Sequence, residues 1–330
     1  MDRIRIIAVI GPTGVGKTEY AIELAKKLDG EIVSADSMQI YRHMTIGSAK
    51  PTVEQQAAVP HHMVDLVDPW EPWTVADYQR EAQAAIKDVT SRGKLPILSG
   101  GTGLYVHSLL FTMDFSNTPE NEELRSKLYR EAETFGKEYI HQKLSAIDEE
   151  AAARIHPNNL KKVIRAIEIA SAGDKVTEFH NSLQPNDAYD PVFIGLERDR
   201  IELYERIDKR VDSLMRYGLV EEVKGLLTMG LSAESIAMQG IGYKEIVGFL
   251  AGDYNEEEAV RLIKQHSRNY AKRQYTWFRR YQEVRWFDLS GGVSANSVLN
   301  QMLAHIDTVY NEKKESTYGK EDPSHSQQKR

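Results

Sequence analysis

One octapeptide constrains the fold more than any other part of the chain. Gly11-Pro12-Thr13-Gly14-Val15-Gly16-Lys17-Thr18 spells G-x-x-x-x-G-K-[ST], directly after the mostly apolar run Arg5–Ile10 and directly before the helical pattern Lys17–Leu28. In such a strand–loop–helix unit the glycines let successive backbone N–H groups converge on one concavity, and the helix N-terminus adds positive potential. Lys17 then reaches phosphoryl oxygens and Thr18 offers a hydroxyl to Mg²⁺. The motif predicts a di- or triphosphate ligand without saying which.

Further short apolar runs extend the pattern. Glu31–Ala35 ends at Asp36, and Leu95–Leu98 ends at Ser99-Gly100-Gly101-Thr102-Gly103; Val192–Leu196 and Val284–Phe287 follow later. Short strands alternating with helices predict an α/β fold, a P-loop NTPase-like parallel sheet flanked by helices, with function collected at the carboxyl ends of the strands. Between residues 115 and 185 the spacing turns helical, in Glu122–Glu133, Gly136–Ile147 and Asn158–Ala172, so an all-helical insertion domain is expected there. The expected organisation is a catalytic core of residues 1–114 and 186–290, the insertion 115–185 for RNA binding, a C-terminal helix over 291–310, and a polar, disordered tail over 311–330.

Composition removes several classes of chemistry. None of the 330 residues is cysteine, which excludes disulfides, thiol nucleophiles, iron–sulfur clusters and Cys-based zinc sites. No apolar run approaches the ~18 residues of a membrane span, and the apolar start leads into the glycine loop instead of a cleavage site; a cytoplasmic protein without membrane contact is expected. The net charge of −7 does not exclude a polyanionic partner, which responds to the field of one face. Adjacent His61 and His62 would point to opposite sides of a strand and read as structural, as do Trp70 and Trp73. A plain NTP hydrolase is disfavoured: Leu95–Leu98 runs into Ser99-Gly100-Gly101 where a Walker-B Asp would stand, and no Asn-Lys-x-Asp occurs.

Asp36 stands at a strand end close behind the phosphate loop and serves equally well, on position, as a general base, a metal ligand or a helix cap. Gly100–Gly103 reads either as a turn or as a second set of donors around the same crevice. The stretch Arg261–Arg285 carries eight basic residues, Lys272 and Arg273 among them, against Glu283 alone, interleaved with Tyr270, Tyr275, Trp277, Phe278 and Tyr281. That is the footprint of single-stranded or looped RNA binding, although a helix with an aromatic core face and a solvated basic face has the same composition. A smaller basic cluster, Lys161-Lys162 with Arg165, falls in the insertion.

Taken in order, Gly11–Thr18, Asp36–Tyr41, Ile46–Pro51, Pro60–His62, Gly100–Tyr105, Arg165–Glu168, Arg206–Arg210 and Ala271–Trp277 resemble the tRNA dimethylallyltransferase family over residues 5 to 290. One block departs from the family pattern, with Lys244 where Ile241-Gly242-Tyr243 would usually be followed by arginine; the cation is kept but not its fork. The resemblance implies transfer of a dimethylallyl group from dimethylallyl diphosphate to N6 of the adenosine 3′-adjacent to the anticodon of tRNA. Asp36 would be the base, Arg210 and Thr102 would meet the departing diphosphate with Arg206 in reserve, and Thr18 would hold Mg²⁺. The anticodon stem-loop would be contacted by Ser37, Met38 and Gln39; by Lys161, Lys162, Val163, Ile164 and Arg165; by Gln239, Gly240, Ile241, Gly242, Tyr243 and Lys244; and by Lys272 and Arg273. A monomer is expected. A small-molecule or nucleotide kinase is the alternative enzyme, and a nucleotide-driven RNA-binding switch the alternative outside catalysis.

Overall fold

The computed structural model describes residues 3–113, 118, 121–174, 176 and 183–318, the last six by their backbone alone. These residues divide into two compact units, one built from the chain up to Phe111 and again from Pro185, the other spanning Thr112–Gln184.

The first unit is built on a six-stranded sheet. Its strands are β1 (Ile4–Ile10), β2 (Gly30–Ala35), β3 (His61–His62), β4 (Leu95–Gly100), β5 (Tyr189–Glu197) and β6 (Arg285–Asp288), in the spatial order β3-β2-β4-β1-β5-β6. Every pairing is parallel, with Ile7 opposite both Ile97 and Val192, and Val33 opposite Leu98. Parallel strands need crossovers that cover both faces. Alternation assigns the side chains accordingly: Ile7, Val9, Ile32, Ile97 and Ile194 face one core, while Ile6, Ala8, Val33, Leu98 and Phe193 face the other.

On the first face lie helices α1 (Lys17–Leu28) and, at the end of the chain, α13 (Ala295–Tyr318); on the second lie α3 (Val75–Ser91) and α4 (Gly103–Leu110). A short helix α2 (Val53–Ala58), closed by a Thr52–Gln55 capping box, leads into β3. The edge strand β3 is held by buried Glu31, which pairs with Arg92 and accepts from His62 Nε2 at 2.7 Å. The Arg92 guanidinium first, and His62 after it, hold the Glu31 carboxyl down at about 2.

The remaining helices of this unit, α9 (Arg200–Arg216), α10 (Leu219–Thr228), α11 (Tyr243–Ala251) and α12 (Glu256–Phe278), share a third core with the turn Ile40–Met44, through Val211, Leu219, Val223, Ile246 and Ile263. The expectation that helix ends at residue 310 is corrected: α13 runs on to Tyr318, because Asn311–Ser316, rich in the good helix formers Glu and Lys, prolongs a helix already anchored by Met302, Ile306 and Tyr310. The rest of the tail assigned as disordered, 319–330, lies outside the described residues.

The second unit holds α5 (Glu122–Phe135), α6 (Lys137–Ile147), α7 (Glu149–Arg154) and α8 (Leu160–Ser171). Its core brings Leu128, Ile140, Leu144, Val163, Ile164 and Ile167 together. This corrects the assignment of Val163 and Ile164 to RNA contact. Both side chains are fully buried among their own helices, whereas Lys161 and Lys162 on the opposite face are exposed, since successive helical residues point ~100° apart. Arg165 is half-buried and committed internally, donating to Glu168 at 3.0 Å and to the Thr118 carbonyl at 2.9 Å.

Among the described residues no helix is long and apolar enough to cross a membrane. A direct check on the second core is Ile164→Ala, which is expected to cost about 2–5 kcal/mol by leaving a cavity. Hydrogen exchange of the α6 and α8 amides should report that loss, and Lys161→Ala should leave it unmoved.

Candidate active site

The carboxyl ends of β1, β2 and β4 open onto one crevice. β1 delivers the glycine loop, in which Gly14 (φ 77°) and Gly16 (φ 115°) occupy the left-handed region that other residues avoid. Gly16 also starts α1, so its following amides point into the crevice. Two arginines brace the loop through carbonyls it turns outward: Arg198 Nε donates to Val15 O at 3.2 Å and Arg206 Nε to Gly14 O at 2.9 Å. Lys17 Nζ folds back on Pro12 O at 2.8 Å. Burial pulls its pKa down to about 7; the Asp36 carboxylate opposes this and the Arg210 guanidinium adds to it.

β2 ends at Asp36. Its Oδ1 accepts from Met38 N at 2.9 Å, so the capping role is realised on a turn instead of a helix, and among the described residues no donor binds Oδ2. Ser37 N donates to Thr102 Oγ1 at 3.0 Å, and Thr102 N to the Ala35 carbonyl at 3.0 Å. The Thr102 hydroxyl also lies 3.4 Å from Ser37 Oγ, to which it donates. By accepting from the Ser37 amide, the Thr102 oxygen braces the segment that carries Asp36.

Two cavities meet at this carboxylate. One, of about 480 Å³, lies over the glycine loop and α1, and its wall includes Lys17, Thr18, Arg206, Lys209 and Arg210 against Glu19 and Asp36. The second, of about 470 Å³, is walled by Met38, Tyr41, Trp73, Tyr105, Leu214 and Ile241, with Lys244 and Arg273 at its polar side. Thr13, Asp36, Arg210 and Tyr270 line both. Arg206 is tied to Gly14, but Arg210 has no hydrogen-bond or ion-pair partner among the described residues. Its guanidinium is open to the cleft. Crowding by protein lowers its pKa below the ordinary value, an effect the Asp36 carboxylate partly offsets.

The site residues expected from the sequence separate into three groups. Ser37, Met38, Gln239, Gly240, Ile241, Lys244 and Arg273 line the second cavity, whereas Gln39 lines the first. Gly242 and Tyr243 are buried behind the wall, with the Tyr243 hydroxyl donating to Glu222 Oε1 at 2.8 Å, which corrects their assignment to RNA contact. Lys272 is exposed on α12, its ammonium 6.0 Å from the Tyr204 ring.

Sequence reasoning missed Gln274. Buried on α12, it accepts from Thr13 N at 2.8 Å and donates to Gly101 O at 2.8 Å, spending both ends of its amide on the crevice. The signal for it is its spacing with buried Ala271 and Phe278 on one helix face. His61, read as structural, also lines the first cavity, with Nδ1 2.8 Å from Val59 O.

A family model described as IPP transferase matches residues 39–281, and one described as isopentenyl transferase matches residues 4–61. A tRNA dimethylallyltransferase of Alkaliphilus metalliredigens is 50% identical over 308 residues, covering 93% of this chain and 98% of the relative. The crystal structure of the full-length tRNA isopentenylpyrophosphate transferase of Bacillus halodurans is 41% identical, with a TM-score of 0.73 over 96% of this chain and 100% of that one. A eukaryotic dimethylallyltransferase captured acting on tRNA is 26% identical, with a TM-score of 0.78 over 94% of this chain and 80% of that one. Fold, site and relatives together define a transferase with a P-loop-like α/β core. The chain belongs to the tRNA dimethylallyltransferase family. The kinase alternative loses its support, since relatives matched over almost the whole chain carry the transferase name.

The depressed Lys17 pKa makes a pH prediction. A bound diphosphate favours the charged ammonium, so binding above pH 7 must take up a proton, and affinity falls as pH rises through and beyond about 7. Titration calorimetry with inorganic pyrophosphate should give a steeper decline between pH 7 and 9 for the native chain than for Lys17→Arg, whose side chain stays charged. Equal slopes would remove Lys17 from the anion site.

Proposed function

We propose that this chain transfers a dimethylallyl group from dimethylallyl diphosphate to the exocyclic N6 of the adenosine 3′-adjacent to the anticodon in tRNA, releasing diphosphate. The observation that carries this reading is the pair of cavities joined at Asp36, one cationic over the glycine loop, the other apolar and aromatic. The first suits a diphosphate and the second a planar base.

In that arrangement N6 attacks the allylic carbon as its bond to the diphosphate oxygen breaks. The amine is a poor nucleophile, because its lone pair is delocalised into the ring. Asp36 takes the N6 proton on the carboxylate oxygen left without a donor, and the proton passes to solvent. Lys17 and Arg210 receive the charge that develops on the leaving group, Arg210 through planar donors.

Mg²⁺ fits this site as an ion carried by the substrate. Among the described residues no cluster of three acidic or histidine side chains is available to it, and the Thr18 hydroxyl with diphosphate oxygens and water matches its preferences. When bound it would supply further charge neutralisation to the diphosphate. The target base must leave its stack to enter the second cavity, which is least costly in a strained loop. Lys244, Lys272 and Arg273, and in the helical unit Lys161 and Lys162, are exposed cations suited to backbone phosphates. Both cavities are lined from the unit built on the sheet, which supports the reading of a monomer.

Mass spectrometry of nucleosides from tRNA incubated with the protein and dimethylallyl diphosphate should detect N6-dimethylallyl adenosine. Asp36→Asn should lower turnover by about 10²–10⁴ while leaving tRNA affinity nearly unchanged. Turnover equal to that of the native chain would refute the base assignment, and product absent with the native chain would refute the function.

A further inference from the structure

The segment after Asp36 turns at Thr45–Ser48, and its four successive backbone N–H groups all point toward one place. Thr45 N and Ile46 N donate to Glu222 Oε2 at 2.8 and 2.7 Å, Gly47 N donates to Glu222 Oε1 at 3.0 Å, and Ser48 N donates to the Tyr243 hydroxyl at 3.1 Å. That hydroxyl in turn donates to Glu222 Oε1. The turn closes with Ala49 N on Ile46 O and Lys50 N on Thr45 O, and Ala49 ends it in the left-handed region. It is therefore a single helix-like turn whose orphan donors are met by a carboxylate and a phenol from α10 and α11. The fit is close, for a side chain at Gly47 would lie 2.5 Å from the Tyr243 ring.

This turn forms wall on both sides of the reacting centre. Gly47 and Ser48 line the second cavity, and Ala49 lines the first. Glu222 lines neither. One such turn has no internal cooperativity to hold its shape, and the left-handed conformation of Ala49 is strained and persists only where its surroundings impose it. We infer that Glu222 is a positioning residue: through four consecutive amides, directly or by way of Tyr243, it sets the wall against which the acceptor base is aligned. The inference rests on the reading of the second cavity as the nucleobase chamber.

The test uses the full-length chain with tRNA and dimethylallyl diphosphate. Glu222→Ala removes the carboxylate, and Glu222→Gln, which keeps an acceptor, covers the case in which the alanine variant does not fold. Val223→Ala is the control, since Val223 is buried in the same core beside Glu222 but has an apolar side chain that cannot accept from any of the four amides. The expected result is a loss of about 10–100-fold in kcat/KM for tRNA in Glu222→Ala, less in Glu222→Gln, with pyrophosphate affinity within about twofold of the native chain. Val223→Ala, even with an equal drop in melting temperature, should stay within about threefold. An unchanged kcat/KM in the Glu222 variants, or an equal loss in Val223→Ala, overturns the inference. Failure of the native chain to modify tRNA would instead defeat the functional reading on which it rests.

Discussion

Everything at the catalytic end of this molecule depends on how closely three strand ends approach one another. Ala35 and Ile10 each lie opposite Gly100 in the parallel register, so the glycine loop, Asp36 and the Gly101–Thr102 segment leave the sheet side by side. The approach is so close that a β-carbon on Gly100 would fall 2.1 Å from the Ala35 carbonyl oxygen. Glycine is required there by packing, since any side chain would force β2 and β4 apart and carry Asp36 away from the loop. The Thr102 bonds to Ala35 and Ser37 then lock the distance that the register allows.

Within the crevice the charges govern one another. Burial and the Arg210 guanidinium pull the Lys17 pKa down, crowding by protein does the same to Arg210, and the Asp36 carboxylate opposes both shifts. An anion entering over the loop would be attracted by both cations. The same field acts on Tyr270, whose hydroxyl is pushed up to about 12 chiefly by burial and then by Asp36; the phenol stays protonated and able to donate where the two cavities meet.

The core elements were legible because their periodicity is strong. α1 spans Lys17–Leu28, the residues its pattern predicts, since Gly16 starts it and Asp29, in the left-handed region, ends it. α11 was not legible, because nine residues containing Gly248 give a weak pattern. Val163 and Ile164 lie within the same sequence block as the basic Lys161, Lys162 and Arg165, but sequence adjacency on a helix is not a shared face. On α8 the pair Lys161-Lys162 and the pair Val163-Ile164 belong to opposite faces. Glu222 escaped notice because an acidic pair at the start of a helix is well explained by the helix dipole alone; what distinguishes it is a partner turn some 175 residues away in the chain.

Gln274 joins these observations. A helix with exposed cations on one side normally buries apolar residues on the other, and α12 does so at Ala259, Ile263, Ala271 and Phe278. At Gln274 it buries an amide instead, whose two ends match the one amide N–H and one carbonyl that the close approach of the loop and the Gly101 segment leaves unpaired. An apolar residue would strand both groups, at about 1–3 kcal/mol each, and a charged one would satisfy only one of them. Glutamine is therefore the side chain that lets one helix carry Lys272 and Arg273 on its exposed face and still pack directly against the phosphate loop. The helix that carries the surface cations is thereby tied to the glycine loop, and displacement of α12 relative to the sheet has to break both hydrogen bonds of Gln274.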